Sequence, residues 1–100
     1  MDYLTFDLSH DAGGLTTIEA MASTAAAQHA AVMFEVQQLL DWAWAHFPDT
    51  HGSMDDGMDW DHDLQLHVED GGWHTVTLTL AASSRFADAW RAAFPGVLDP

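Results

Sequence analysis

The chain has 100 residues, with no cysteine and only two basic side chains, both arginine, against sixteen carboxylates, for a formal charge of −14 at pH 7. Its 48% hydrophobic content, including five Trp and five Phe, separates it from disordered acidic tails, which are poor in apolar residues. The charge excludes direct binding to DNA, RNA or anionic lipid, and the absence of cysteine excludes disulfides, thiolate metal sites and thiol catalysis.

Length predicts one acidic α+β domain over residues 1–100. A chain of this mass exposes about 5,600 Å² when folded and buries roughly 65% of its unfolded surface, enough for a core without staples. The segment Met1-Asp2-Tyr3 has neither the basic nor the apolar region of a signal peptide. No apolar run approaches the ~20 residues of a membrane span. A cytoplasmic protein is the expectation.

Residues 2–9 alternate, with Leu4, Phe6 and Leu8 on one face and Tyr3, Thr5, Asp7 and Ser9 on the other, the pattern of a half-buried strand. After His10, a second strand is predicted from Leu15 to Ala22, turning Ile18, Ala20 and Ala22 inward. Matching inward residues to inward residues calls for an odd loop. A three-residue turn, Asp11-Ala12-Gly13, satisfies that parity.

From Ser23 or Thr24 the period lengthens. Val32, Val36, Leu39, Leu40, Ala43 and Phe47 recur at helical spacing, and Pro48 ends the run. A helix of about 24 residues would be roughly 35 Å long. Residues 48–59 form a loop rich in glycine and aspartate.

A third strand, 60–69, turns Trp60, His62, Leu64, Leu66 and Val68 inward and Asp61, Asp63, Gln65, His67 and Glu69 outward. A fourth, 73–82, turns His74, Val76, Leu78 and Leu80 inward and Trp73, Thr75, Thr77 and Thr79 outward. The parity rule again selects a three-residue turn, Asp70-Gly71-Gly72, which pairs Leu66 with Val76 and Leu64 with Leu78. A second helix, capped by Ser83 or Ser84, buries Phe86, Ala89, Trp90, Ala93 and Phe94 and stops at Pro95-Gly96.

The predicted fold is therefore α+β: a two-layer sandwich in ββα-ββα order, with a four-stranded antiparallel sheet carrying two helices on one face. Each half closes on a Phe-Pro pair (Phe47-Pro48, Phe94-Pro95), which hints at duplication. Aligning the two glycine turns inverts the strand faces, so the organisation repeats but the register does not.

Eight of the sixteen acids lie between Asp49 and Asp70, so the charge is local to the loop and the outward face of the third strand. Asp59-x-Asp61-x-Asp63 opens like a calcium loop. Leu64 stands where that loop needs glycine and Asp70 where it needs glutamate, and the alternation across 60–68 reads as strand. A looser divalent-metal site would draw on the 49–63 segment, with His51, Asp55, Asp56 and Asp59 as candidate ligands. His62 and His74 read as histidines at the edge of the core, and His67, Thr75, Glu69 and Trp73 as neighbours on the open face.

Ser9-His10-Asp11 carries the letters of a catalytic triad, but consecutive strand residues project to opposite sides. No catalytic constellation and no cofactor motif is present, so the reading leans against an enzyme. Trp42 and Trp44 lie about 200° apart around a helix, so one of them belongs at a boundary.

The leading expectation is a non-enzymatic acidic interaction module for a basic protein partner: a DNA mimic, an inhibitor or an immunity-like protein. Its contact residues would be Asp55, Asp56, Asp59, Asp61, Asp63, Glu69 and Trp73. The alternatives are a metal- or small-ligand-binding domain built on the 49–63 loop, and a small enzyme or subunit with its site on the open sheet face. The last needs a homodimer to supply its second wall.

Overall fold

Both alternating stretches close into hairpins, and each hairpin hands over to a helix. The computed structural model describes residues 1–96 and runs β1 (Thr5–His10), β2 (Thr16–Ala25), α1 (His29–His46), β3 (Trp60–Glu69), β4 (Trp73–Ala82) and α2 (Ser84–Ala93). Short 3-10 turns at Ala26–Gln28 and Met54–Asp56 precede α1 and β3. The strands form one antiparallel sheet in the order β1-β2-β4-β3. The molecule is thus the expected α+β two-layer sandwich. None of its described helices is long and apolar enough to cross a membrane.

Strand parity decides what is buried. Ile18, Ala20 and Ala22 of β2 and Val76, Leu78, Leu80 and Ala82 of β4 line one sheet face, where they meet Val32, Val36, Leu39 and Ala43 of α1 and Phe86, Ala87 and Trp90 of α2. Trp90 packs on Phe6 of β1, with ring centroids 5.5 Å apart. Trp42 joins the helices through edge-on contacts with Phe86 and Phe94. Ser83 caps α2 by accepting from the Phe86 amide at 3.2 Å.

The β3–β4 hairpin has the expected register, Leu66 opposite Val76 and Leu64 opposite Leu78, across Asp70-Gly71-Gly72. Gly71 and Gly72 sit at φ +86° and +83°, the left-handed conformation that disfavours side chains. In the first hairpin the parity holds but the turn differs. His10 pairs with Thr16, leaving a five-residue loop, Asp11–Leu15. The Asp11 carboxylate explains the longer loop, because it accepts from the Gly13 and Leu15 amides at 2.8 and 2.9 Å and so stabilises a wider turn.

A second correction concerns the strand-to-helix change. Strand β2 continues through Ser23, Thr24 and Ala25, which pair with Thr75, His74 and Trp73 of the equally long β4. The hydrogen bonds of that ladder outweigh the helix propensity of the alanine-rich segment. Helix α1 consequently starts at His29 and has 18 residues, about 27 Å of rod, shorter than the helix of about 24 residues expected from the sequence. In α2 the buried small residue is Ala87, while Ala93 is exposed.

The third correction lies at the sheet edge. Helix α1 sits over β2 and β4, and α2 reaches β4 and β1. The far half of β3 has no helix above it, so Leu66 and Val68 are 55% and 62% exposed although they point to the core side.

Candidate functional site

The open face of the sheet collects the carboxylates that strand parity turns away from the helices. Asp7 stands directly opposite Glu19, Glu19 opposite Thr79, and Thr79 opposite Asp63, so one rung carries three acids across four strands. Asp61 and Glu69 lie on the same face of β3, with Gln65 and His67 between them. Like charges directly opposite one another on adjacent strands are destabilising.

Neither arginine is available to neutralise this face. Arg85 pairs with Asp59 and lies over the Phe47 ring at 5.0 Å. Arg91 reaches Asp88 at 3.5 Å, with His10 Nε2 at the same distance on its other side.

The residues singled out in the sequence therefore divide. Asp61, Asp63 and Glu69 share the open face with Trp73, which pairs with Glu69 and is half exposed. Glu69 accepts from Thr75 Oγ1 at 3.1 Å. Asp55 and Asp56 sit in the exposed 3-10 turn before β3, away from that rung.

Asp59 has a structural post. Its carboxylate accepts from Arg85 and from Ser83 Oγ at 2.8 Å, and its carbonyl accepts from the Ser83 amide at 2.7 Å. These bonds tie the 48–59 loop to the start of α2. The Arg85 hydrogen bond holds the Asp59 carboxyl at about 2, below the usual 3.8, with Ser83 assisting and burial opposing.

A second cluster forms where that loop meets the start of β3. His51 bridges to Trp60 as a parallel neighbour, and Gly52 N donates to Trp60 O at 3.0 Å. The His51 ring packs against both Trp44 and Trp60, with centroids 4.5 and 4.4 Å away, and the two indoles also touch each other at 4.9 Å. Trp60 is fully buried and donates its indole N–H to Phe47 O at 3.0 Å. His51 Nε2 lies 2.8 Å from His62 Nδ1 and 3.3 Å from Asp61 Oδ1.

Among the described residues, His51, Asp61 and His62 are the set of three metal-ligand types whose donor atoms converge within 4.8 Å. Of the four candidate ligands named from the sequence, His51 belongs to it, whereas Asp55, Asp56 and Asp59 do not. Three of the remaining histidines have hydrogen-bond partners close by: His46 bonds Trp42 O and stacks on Trp42, His74 bonds Gly72 O and lies tilted against His29, and His10 bonds Thr16.

Sequence reasoning missed Glu35. It lies on the sheet-facing side of α1, is buried, and accepts from the amides of Asp2, Tyr3 and Leu4 at 3.1–3.2 Å. The available signal was an acid flanked by the stripe residues Val32, Val36 and Leu39, but nothing in the pattern named its backbone partners.

The fold and its two polar clusters define a small α+β domain with an anionic sheet face. Comparison with protein-family models, with curated proteins and with solved structures finds no match.

Proposed function

We propose that this chain is a non-enzymatic interaction module that docks a basic polypeptide against the acidic sheet face and the free edge of β3. The carrying observation is the rung Asp7, Glu19, Thr79, Asp63, in which like charges are held together without an internal cation. A cationic partner turns that local repulsion into attraction, and it associates fast and with strong salt dependence.

The edge favours the same occupant. Beyond Trp60, which His51 bridges, β3 is the last strand of the sheet and offers its outer backbone edge for strand addition. A strand added there would meet apolar Leu66 and Val68 on one side and acidic Asp61, Asp63 and Glu69 on the other. An extended segment alternating basic and apolar residues fits both. A second copy of this chain would instead set acidic rows side by side. Asp61 and Asp63, one step of roughly 6.7 Å apart on β3, with Glu69 farther along the same face, suit the kinds of partner that bind nucleic acid or act as cationic toxins, so inhibition or DNA mimicry is the corresponding role.

The test uses two synthetic ten-residue peptides, alternating Lys-Val and alternating Thr-Val, titrated into isotopically labelled protein at low and moderate salt. The Lys-Val peptide should shift amide signals of residues 62–69 at low salt. Binding should weaken at least tenfold at moderate salt and in the double variant Asp63→Asn/Glu69→Gln. Absence of shifts along β3, or equal shifts with the neutral peptide, overturns the proposal.

A further inference from the structure

We propose that His51, Asp61 and His62 bind one divalent transition-metal ion of the zinc class, leaving a fourth coordination position open to water. The site is separate from the docking reading above, and metal alone tests it.

Convergence is the first ground. Three lone-pair donors from the loop and from β3 meet within 4.8 Å of one another, an arrangement that a single proton serves poorly. If His62 Nδ1 donates to His51 Nε2, the acceptor lone pair on His51 also faces the Asp61 carboxylate at 3.3 Å. If His51 Nε2 donates instead, its one hydrogen is contested by His62 Nδ1 and Asp61 Oδ1. A dication attracts all three donors at once and displaces the shared proton. His51 then carries its proton on Nδ1 and His62 on Nε2.

Preorganisation is the second ground. Trp44 and Trp60 both pack against the His51 imidazole, and the loop that carries it is pinned to the start of β3 by Trp60 N to Thr50 O at 3.3 Å and Gly52 N to Trp60 O at 3.0 Å. The Asp61 carboxylate is oriented by the His62 amide, which donates to Oδ1 at 2.9 Å. Supporting contacts of this kind let a site bind without first ordering its ligands.

The donor set decides the class of metal. Two imidazole nitrogens and one carboxylate oxygen suit zinc, cobalt or nickel; calcium and magnesium favour oxygen. Tetrahedral zinc holds its donor atoms about 3.3 Å apart, so the His51–His62 pair opens by roughly half an ångström on binding. Side-chain exposures of 22% for His51 and 44% for Asp61 leave the ion a way in. The shallow depression lined by Asp61, His62, Asp63, Thr79 and Ala81 leaves room for the water.

The experiment titrates metal-free full-length protein with Zn(II) by calorimetry and with Co(II) by visible absorption. The expected result is one equivalent bound, with the d–d bands of a four-coordinate cobalt site. His62→Ala and His51→Ala should each weaken binding at least a hundredfold, Asp61→Asn at least tenfold, and His67→Ala not at all. Wild-type protein removes any dependence on variant folding. Zn(II) should shift the imidazole ring signals of His51 and His62 in its spectra and leave those of His67 in place. No heat and no cobalt bands at millimolar metal, or binding unchanged by His62→Ala in a variant with a normal melting curve, overturns the proposal.

Discussion

Replacing Asp59 by asparagine separates a structural carboxylate from the docking carboxylates around it. Asparagine keeps an oxygen for Ser83 Oγ and Arg85 and removes only the charge. A carboxyl lowered from 3.8 to about 2 corresponds to about 2.5 kcal/mol of differential stabilisation. Arg85 is 70% exposed, and screening by solvent reduces the expected contribution to about 1 kcal/mol.

The sign follows from the direction of the shift. The folded-state value lies below the unfolded one, so the ion pair stabilises fully above the unfolded value near 4 and loses its effect as pH falls through about 2. Urea unfolding of wild type and Asp59→Asn at a series of pH values measures this. The variant should be less stable by about 1 kcal/mol from pH 7 down to about 5, with the difference closing between pH 4 and 2. A difference that persists undiminished at pH 2, or none at pH 7, refutes the ion-pair account.

Glu35→Ala leaves the buried Leu4 amide unpaired, along with the partly buried amides of Asp2 and Tyr3, and should destabilise by about 2–3 kcal/mol in thermal unfolding, while Glu35→Gln, which retains an acceptor, should lose about 1 kcal/mol. Trp60→Phe removes the bond to Phe47 O and part of the wall behind His51, and should lower stability by about 2 kcal/mol with weakened zinc binding in calorimetry. Glu19→Thr relieves the direct opposition to Asp7, and chemical denaturation should find it about 0.5 kcal/mol more stable than wild type at low salt. Melting temperature should rise for the wild type between 10 and 150 mM salt, roughly, as the Debye length shortens from about 30 to 8 Å, and rise less for Glu19→Thr.

The candidate sites were legible in the sequence to different depths. Alternation in β3 and β4 announces which acids and threonines face away from the helices, so Asp61, Asp63 and Glu69 could be assigned to one face by counting. The convergence of His51 with Asp61 and His62 could not. Asp61 and His62 are sequence neighbours with opposite strand faces, and it takes the backbone bridge from His51 to Trp60 to bring an imidazole round the sheet edge to both. Asp59 and Asp61 look alike in the chain. Only the approach of α2 commits Asp59 to Arg85 and leaves Asp61 free of an arginine.

By itself, the sequence determined the element types, the parity of both hairpins and the helix stripe, because these depend on local periods of two and of three to four residues. Tertiary structure decided the strand order, the extension of β2 through Ala25, the exposure of Leu66 and Val68, and the burial of Glu35. Each of those depends on which distant segment supplies a hydrogen-bond partner or a cover. A periodic pattern encodes a face and leaves open what will stand opposite it.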